Sequence, residues 1–474
     1  MHTSPVPTSG LPRFLLLVTI CLLAGCSPHA TTRRPSSIKL VTRELSLGKI
    51  PLAARRTAVS ADSRHAAYQV LRAGGWRVSL DGVEGTNYSE VANLAFSPDG
   101  KRFSYAARRG SKWLAVVDGK EGPEFDSMGS GTPVFSPDSQ RVAYAAVRGS
   151  KWLAVVDGKE EAELDGISDG MSFSPDSRRV AYVAKQGNKW LAMVDGKEGP
   201  PFDSLGSDVV FSPDSQRVAY VAQRGSNYLA VVDGAAGQTC DSGAGSPVFS
   251  PDSRHVAFIV GRSLKWMLAI DGKEGPAFDG IGAVPIFSPD SRLTAYLAQR
   301  GSNSLVVVDG KERPAFEAVG AGCPIFSPDS QRVAYVAKRR SREVVIVDGR
   351  EVGAFEGVAN RSLCFSPDSR RVAFVVSREG KMQLVVDGKH GAVFDHTWDG
   401  SPLFSPDSRH VALCAMRKGK SVVVVDGQES KEYAAQAGPL VFDGPALMRA
   451  VVCREDDFLN LELLRFEIDI VEEK

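Results

Sequence analysis

Apolar runs separated by short polar turns recur along this chain. Around Phe211, the apolar Val209-Val210-Phe211 gives way to Ser212-Pro213-Asp214-Ser215, and Arg217–Gln223 (RVAYVAQ) is apolar again. Arg224-Gly225-Ser226-Asn227 then turns the chain into Tyr228–Val232, which ends at Asp233-Gly234. Runs of this length bounded by turn residues predict short strands. Pro213 supplies the φ required at the second turn position, and Asp-Gly is favoured in two-residue hairpins with positive φ. A fourth, more irregular strand is expected before the pattern starts again. The second and third strands lack polar alternation, so both of their faces must be covered.

The pattern is a repeat. Phe-Ser-Pro-Asp begins at Phe96, Phe135, Phe173, Phe211, Phe249, Phe287, Phe326, Phe365 and Phe404, at spacings of 38 or 39 residues. Degraded copies start at Val59 and Phe442, giving eleven units. Ten Asp-Gly pairs, from Asp81-Gly82 to Asp426-Gly427, each begin twenty-two residues after the unit's first residue. Length varies only between Asp-Gly and the next Phe. Four antiparallel strands per unit at this period predict an all-β β-propeller over residues 38–474. Ile38–Leu47 has no unit of its own, and pairing it with the last strand would remove two exposed edges.

Single propellers usually carry four to eight blades, so eleven units allow one large ring or two rings of six plus five. Trp76, Trp113, Trp152, Trp190, Tyr228 and Trp266 share one phase, whereas Ser304, Glu343, Met382 and Ser421 occupy it later. That change of texture would place a division near residue 285.

The repeat resembles the WD-repeat-like blade, with its Pro-Asp turn, of TolB C-terminal propellers and of the propellers beside prolyl oligopeptidase-type hydrolases. The resemblance implies the fold. It does not extend to an α/β domain like the one preceding the TolB propeller, for which there is no room, so TolB's partners are not implied. At the N-terminus, the apolar run Phe14–Leu23 after Arg13 is too short to span a bilayer as a helix and fits a secretory signal. Leu23-Ala24-Gly25-Cys26 resembles the bacterial lipobox, which implies a signal peptide over residues 1–25, acylation of Cys26 and a flexible tether over 26–37. Ser27 after the Cys implies the periplasmic face of the outer membrane, or else the cell surface. The membrane is then reached through the lipid alone.

Composition narrows the chemistry. The 474 residues carry 57 Lys and Arg against 56 Asp and Glu, a formal charge of +1, which argues against nucleic acid as a partner. Gly166-Ile167-Ser168-Asp169-Gly170 matches a nucleophile elbow in letters, but it falls in a variable loop with no helix predicted after it. Cys240, Cys323, Cys364, Cys414 and Cys453 occupy five phases, without zinc-site spacing; one disulfide among them would fit. The Asp of Ser-Pro-Asp reads as a turn former, since calcium needs six to eight oxygens. No cofactor, metal or catalytic group is expected.

Three groups of side chains stand out. His65, His255 and His410 replace an Arg that starts the second strand elsewhere, and read as surface residues. His390, His396 and Trp398 break the repeat pattern and are candidate ligand contacts. The column formed by Trp76, Trp113, Trp152, Trp190, Tyr228 and Trp266 offers aromatic platforms for a sugar or a peptide, or packs between blades. The Tyr column from Tyr68 to Tyr335 is expected in the core. Basic turns between second and third strands, with Asp126, Asp165, Asp203, Asp241, Asp279, Glu317, Glu356 and Asp395 beside them, predict one mixed-charge face. A non-catalytic platform for another envelope protein follows, the alternatives being a glycan-binding or carbohydrate-active propeller and a purely structural spacer.

Overall fold

In a computed structural model, the described residues are 38–473 except 52, 53, 132, 169, 283, 321, 323, 399–401, 458 and 459. The signal run, Cys26, the tether and Cys323 lie outside them. The described chain forms eleven antiparallel sheets and, among those residues, no helix. Each sheet is a blade; we number the blades 1 to 11 along the chain and their strands inner, second, third and outer. In blade 3 the second strand is Val142–Arg148, the third Lys151–Val156 and the outer Lys159–Leu164. The inner strand comes in two pieces, Ser127–Met128 and Val134–Phe135, both paired with the second strand. What reads in sequence as one irregular fourth strand is therefore an outer strand followed by half of the next blade's inner strand.

All ten Asp-Gly pairs take the expected left-handed turn, with Asp φ between 49° and 54°. Asp tolerates that region because its short side chain bonds locally. Asp157 Oδ1, for instance, accepts from Val142 N at 3.0 Å.

The blades form a single closed ring. Hydrophobic cores span neighbouring sheets all the way round: Ala257 and Leu268 of blade 6 pack with Tyr296 and Leu305 of blade 7, so no seam exists near residue 285. The chain ends complete blade 11, where Ile38–Pro51 lies antiparallel to Asn460–Glu472 as the outer strand. Val451 and Leu463 then share a core with Ala66 and Tyr68 of blade 1. The closing strand passes so near the first Asp-Gly turn that a Cβ on Gly48 would lie 2.6 Å from Gly82 Cα. Tyr68 donates to Lys49 O at 2.8 Å across the same seam. The alternative of two rings is thereby excluded. Curvature depends on small angles between blades, which a repeating sequence does not display.

Tyr68, Tyr105, Tyr144, Tyr182, Tyr220, Tyr296 and Tyr335 are all buried, as expected. Most meet an aromatic ring from the preceding blade's outer strand edge-on, as Phe125 does Tyr144 at 6.2 Å between centroids, a geometry the ring quadrupoles favour.

Candidate functional site

Antiparallel strands put the turns of every blade on two faces of the ring. One face carries the Ser-Pro-Asp and Asp-Gly turns, and its polar groups are spent on joining blades. Ser136 Oγ donates to Asp138 Oδ1 at 2.5 Å and accepts from Arg141 N at 2.9 Å. Ser177 of blade 4 sits at φ 67° and accepts from Asp138 N at 2.9 Å. The same bond links Asp176 to Ser215, Asp214 to Ser253, Asp252 to Ser291 and so on to Asp368 and Ser408. A serine in the left-handed region is uncommon; here its hydroxyl is what bridges the blades. The hydroxyl bonds hold Asp138, Asp176 and Asp214 below the usual carboxylate range.

Arg141 adds a second bridge on this face. Its Nε donates to Asp157 at 2.8 Å while the guanidinium reaches Ser177 O and Arg178 O of the next blade. Arg102, Arg179, Arg217, Arg332 and Arg371 repeat the arrangement. His65, His255 and His410 meet the Asp of their own blade instead, through Nδ1 at 2.6 to 2.7 Å. His410 is only 3% exposed, which corrects the reading of all three as surface residues. The position is defined by the carboxylate it must satisfy, and in blade 10 its neighbours close over it.

The opposite face, the crown, is mixed in charge as expected, and the charges are matched in detail. Asp126 accepts from Lys112 of blade 2 and from Gly149 N of blade 3, at 2.5 and 2.8 Å. Asp165 and Asp203 repeat the bridge one and two blades on. The lysine bond, then the turn N–H, hold all three carboxyls below their usual value. These groups are solvent-exposed, so each contact is individually weak. Two crown turns depart from the pattern by reaching positive φ without glycine, at Ser263-Leu264 and Arg340-Ser341. Leu264 is 84% exposed.

The candidate ligand residues are scattered. The Trp column and Tyr228 are half-buried on the third strand, one per blade, and Trp76, Trp152, Trp190 and Tyr228 pack on the cores between blades. His390 meets Gln383 two residues past an Asp-Gly turn, whereas His396 pairs with Met416 beside a crown turn. They belong to opposite ends of different blades, so the structure does not bring them together. Trp398 follows His396 near the crown and is 36% exposed. Ser168 lies on the inner edge of blade 4, its N–H bonded to Val183 O, with no helix after it. Cys240, Cys364, Cys414 and Cys453 are not joined in disulfides, and burial pushes Cys364 and Cys414 up to about 12. Among the described residues no group of three or more His, Cys, Asp or Glu is placed to hold a metal ion.

Sequence reading missed a column twenty-nine residues into each unit. It holds Tyr88, Phe125, Leu164, Phe202, Cys240, Phe278, Phe316, Phe355, Phe394 and Tyr433. At four junctions its ring lies between an edge-on aromatic and an arginine of the next blade. Phe125, for instance, has Arg148 5.1 Å from its centroid, and Phe202 has Arg224 at 5.3 Å.

The chain matches no protein-family model and no curated protein sequence. Among solved structures it is similar to a eukaryotic initiation factor, at 14% identity and a TM-score of 0.41 over 70% of this chain and 96% of that one. The Dos1 propeller covers 64% of this chain and 95% of its own, at 12% identity and a TM-score of 0.31. TolB from Acinetobacter baumannii covers 65% and 81%, at 15% identity and a TM-score of 0.26. Likeness at this level concerns fold alone, and the eleven blades themselves carry the fold.

Proposed function

We propose that this chain is a bacterial envelope lipoprotein, anchored through Cys26, whose ring is a non-catalytic platform holding another envelope protein on its crown. The observation that carries this reading is the unlike use of the two faces. One face joins blades through repeated, partly buried bonds; on the crown the bridges between blades are exposed, and the basic turns beside them change sequence from blade to blade. The most basic of them is Lys338-Arg339-Arg340-Ser341-Arg342, where Glu317 accepts from Arg340 N while the long side chains stand in solvent. A partner with an acidic, polar surface fits such a rim.

Capture from detergent-solubilised envelopes with mild cross-linking tests the platform. A stoichiometric partner should be held by the wild type, lost on Arg340→Glu with Arg342→Glu, and retained on Lys273→Glu with Lys311→Glu, which alters the other face. Equal retention by both variants, or retention of glycan with no protein, overturns the reading. Separately, Cys26→Ser should release the protein from membranes; normal processing and membrane association would sink the anchor.

A further inference from the structure

The column twenty-nine residues into each unit lacks a ring at two junctions, at Leu164 between blades 3 and 4 and at Cys240 between blades 5 and 6. The second puts the smaller side chain there. At the junctions formed by Tyr88, Phe125, Phe202 and Phe278, the ring meets Tyr105, Tyr144, Tyr220 or Tyr296 edge-on at 6.1 to 6.3 Å. Arg109, Arg148, Arg224 or Arg300 lies over the same ring at 5.1 to 5.7 Å. At blades 5 and 6 the ring is gone and Cys240 stands in its register, opposite Tyr228. Both of the ring's partners remain. Phe258 takes the place of the edge-on Tyr, and Arg262 the place of the arginine. Arg262 keeps the glutamate bond that Arg109, Arg148 and Arg300 also make, here to Glu274, and in place of a ring it reaches Thr239 O and Gln238.

The outer strand of blade 5 has also lost its bulk. Ala235-Ala236-Gly237 replaces the Lys-Glu-Gly found in blades 2, 4 and 6. The result is a cavity of about 380 Å³ reaching Cys240, Phe258, Val260 and Arg262. A hollow of about 410 Å³ opens at the matching place between blades 2 and 3, but it stops at Tyr144 and touches neither Phe125 nor Arg148. Of these two, the cavity at blades 5 and 6 is the one that enters the ring position. A pocket of this size is within the range that holds small molecules.

We propose that this cavity is a binding site for a neutral aromatic ring. The bound ring would take the place Phe125 fills elsewhere, edge-on to Phe258 and beneath Arg262, a cation–π contact. Neutrality follows from the rim, where Arg217, Arg262, Asp271 and Glu274 balance. Each already has a partner, in Asp233, Glu274, His255 and Arg262 respectively. An ionised ligand would have to break one of those pairs, whereas an uncharged ring displaces only water. The site lies between blades and includes neither Arg340 nor Arg342, so it stands or falls independently of the platform reading.

Two fluorinated probes distinguish a free aromatic from an aromatic side chain: 4-fluorophenol and N-acetyl-4-fluorophenylalanine amide, followed by ¹⁹F line broadening. At least one should bind the wild type with a Kd of about 1 mM or tighter. Cys240→Phe rebuilds the repeat and should raise that Kd at least about tenfold by filling the site. Cys240→Leu copies Leu164 at blades 3 and 4, and should do the same if the larger ring disturbs folding. Arg262→Met should weaken binding about threefold. No broadening of either probe by the wild type, or equal binding by wild type and both Cys240 variants, overturns the proposal. Binding of 4-fluorophenol alone identifies a free aromatic; binding of the amino-acid amide supports an aromatic side chain as the occupant.

Discussion

Blade 3 uses carboxylates at both ends to reach its neighbour, with unlike consequences. On the latching face Asp157 takes Val142 N and Arg141, and Arg141 continues to the carbonyls of Ser177 and Arg178. On the crown Asp165 takes Lys151 and Gly187 N. The first arrangement includes a partly buried backbone N–H that would be orphaned without it, in a turn whose φ few residues tolerate. The second joins groups that water would satisfy equally well. A ring built this way can vary its crown freely and its latching face hardly at all, because only one set of bonds carries the cost of desolvation.

Acid should give the largest effect. Asp138, Asp176, Asp214, Asp290 and Asp329 all have folded values below the ordinary 3.8, chiefly through the serine hydroxyl two residues before each. The stability each contributes is complete above that value and is lost as pH falls below it. Since the same turn titrates around the ring, far-UV circular dichroism should show one steep acid transition below about pH 4. A ring as resistant to urea at about pH 2 as at pH 7 would break the comparison.

Single substitutions should rank by face. Asp157→Ala removes a charged acceptor from Val142 N and Arg141 and leaves alanine at a left-handed φ, so a loss of about 2–4 kcal/mol is expected in urea unfolding. Ser177→Ala loses the bond from Asp138 N and keeps the unfavourable φ, for about 1 kcal/mol. Ser177→Gly loses the same bond but relieves the backbone, so it should lie nearer the wild type. Gly100 occupies that place naturally in blade 2. If Ser177→Gly proves as damaging as Ser177→Ala, backbone strain is not part of the latch.

Much of this was legible in the sequence. The fixed interval from Phe to Asp-Gly fixed the hairpins, and the unassigned Ile38–Leu47 pointed to closure of the ring by its own ends. Ring number was not legible, because identical junctions serve a ring of six or of eleven. Nor was the split of the inner strand, where Gly129 lies so close to blade 3's second strand that a Cβ would come within 3.0 Å of Ala145 Cβ. His410 looked like its column-mates, and its burial shows only in the folded ring. Cys240 was visible, but only as one of several cysteines. Its meaning lay in the aromatic column it interrupts, which appears once each unit is aligned from its first residue and not from its turns.

The smallest effect should come from the crown, and its smallness is the point. The Lys151 and Asp165 side chains are 44% and 39% exposed, so their ion pair is screened by water. Lys151→Ala should leave the urea midpoint indistinguishable from wild type, because Asp165 keeps its bond from Gly187 N and water replaces the ammonium. The contrast with Asp157→Ala, a few residues away in the same blade, isolates the face as the variable, since blade, strand pairing and neighbours are shared. A Lys151→Ala ring that unfolded as readily as the Asp157→Ala ring would mean that crown charges also hold the blades together. The crown's basic turns would then be structural, and its freedom to serve a partner would vanish with the comparison.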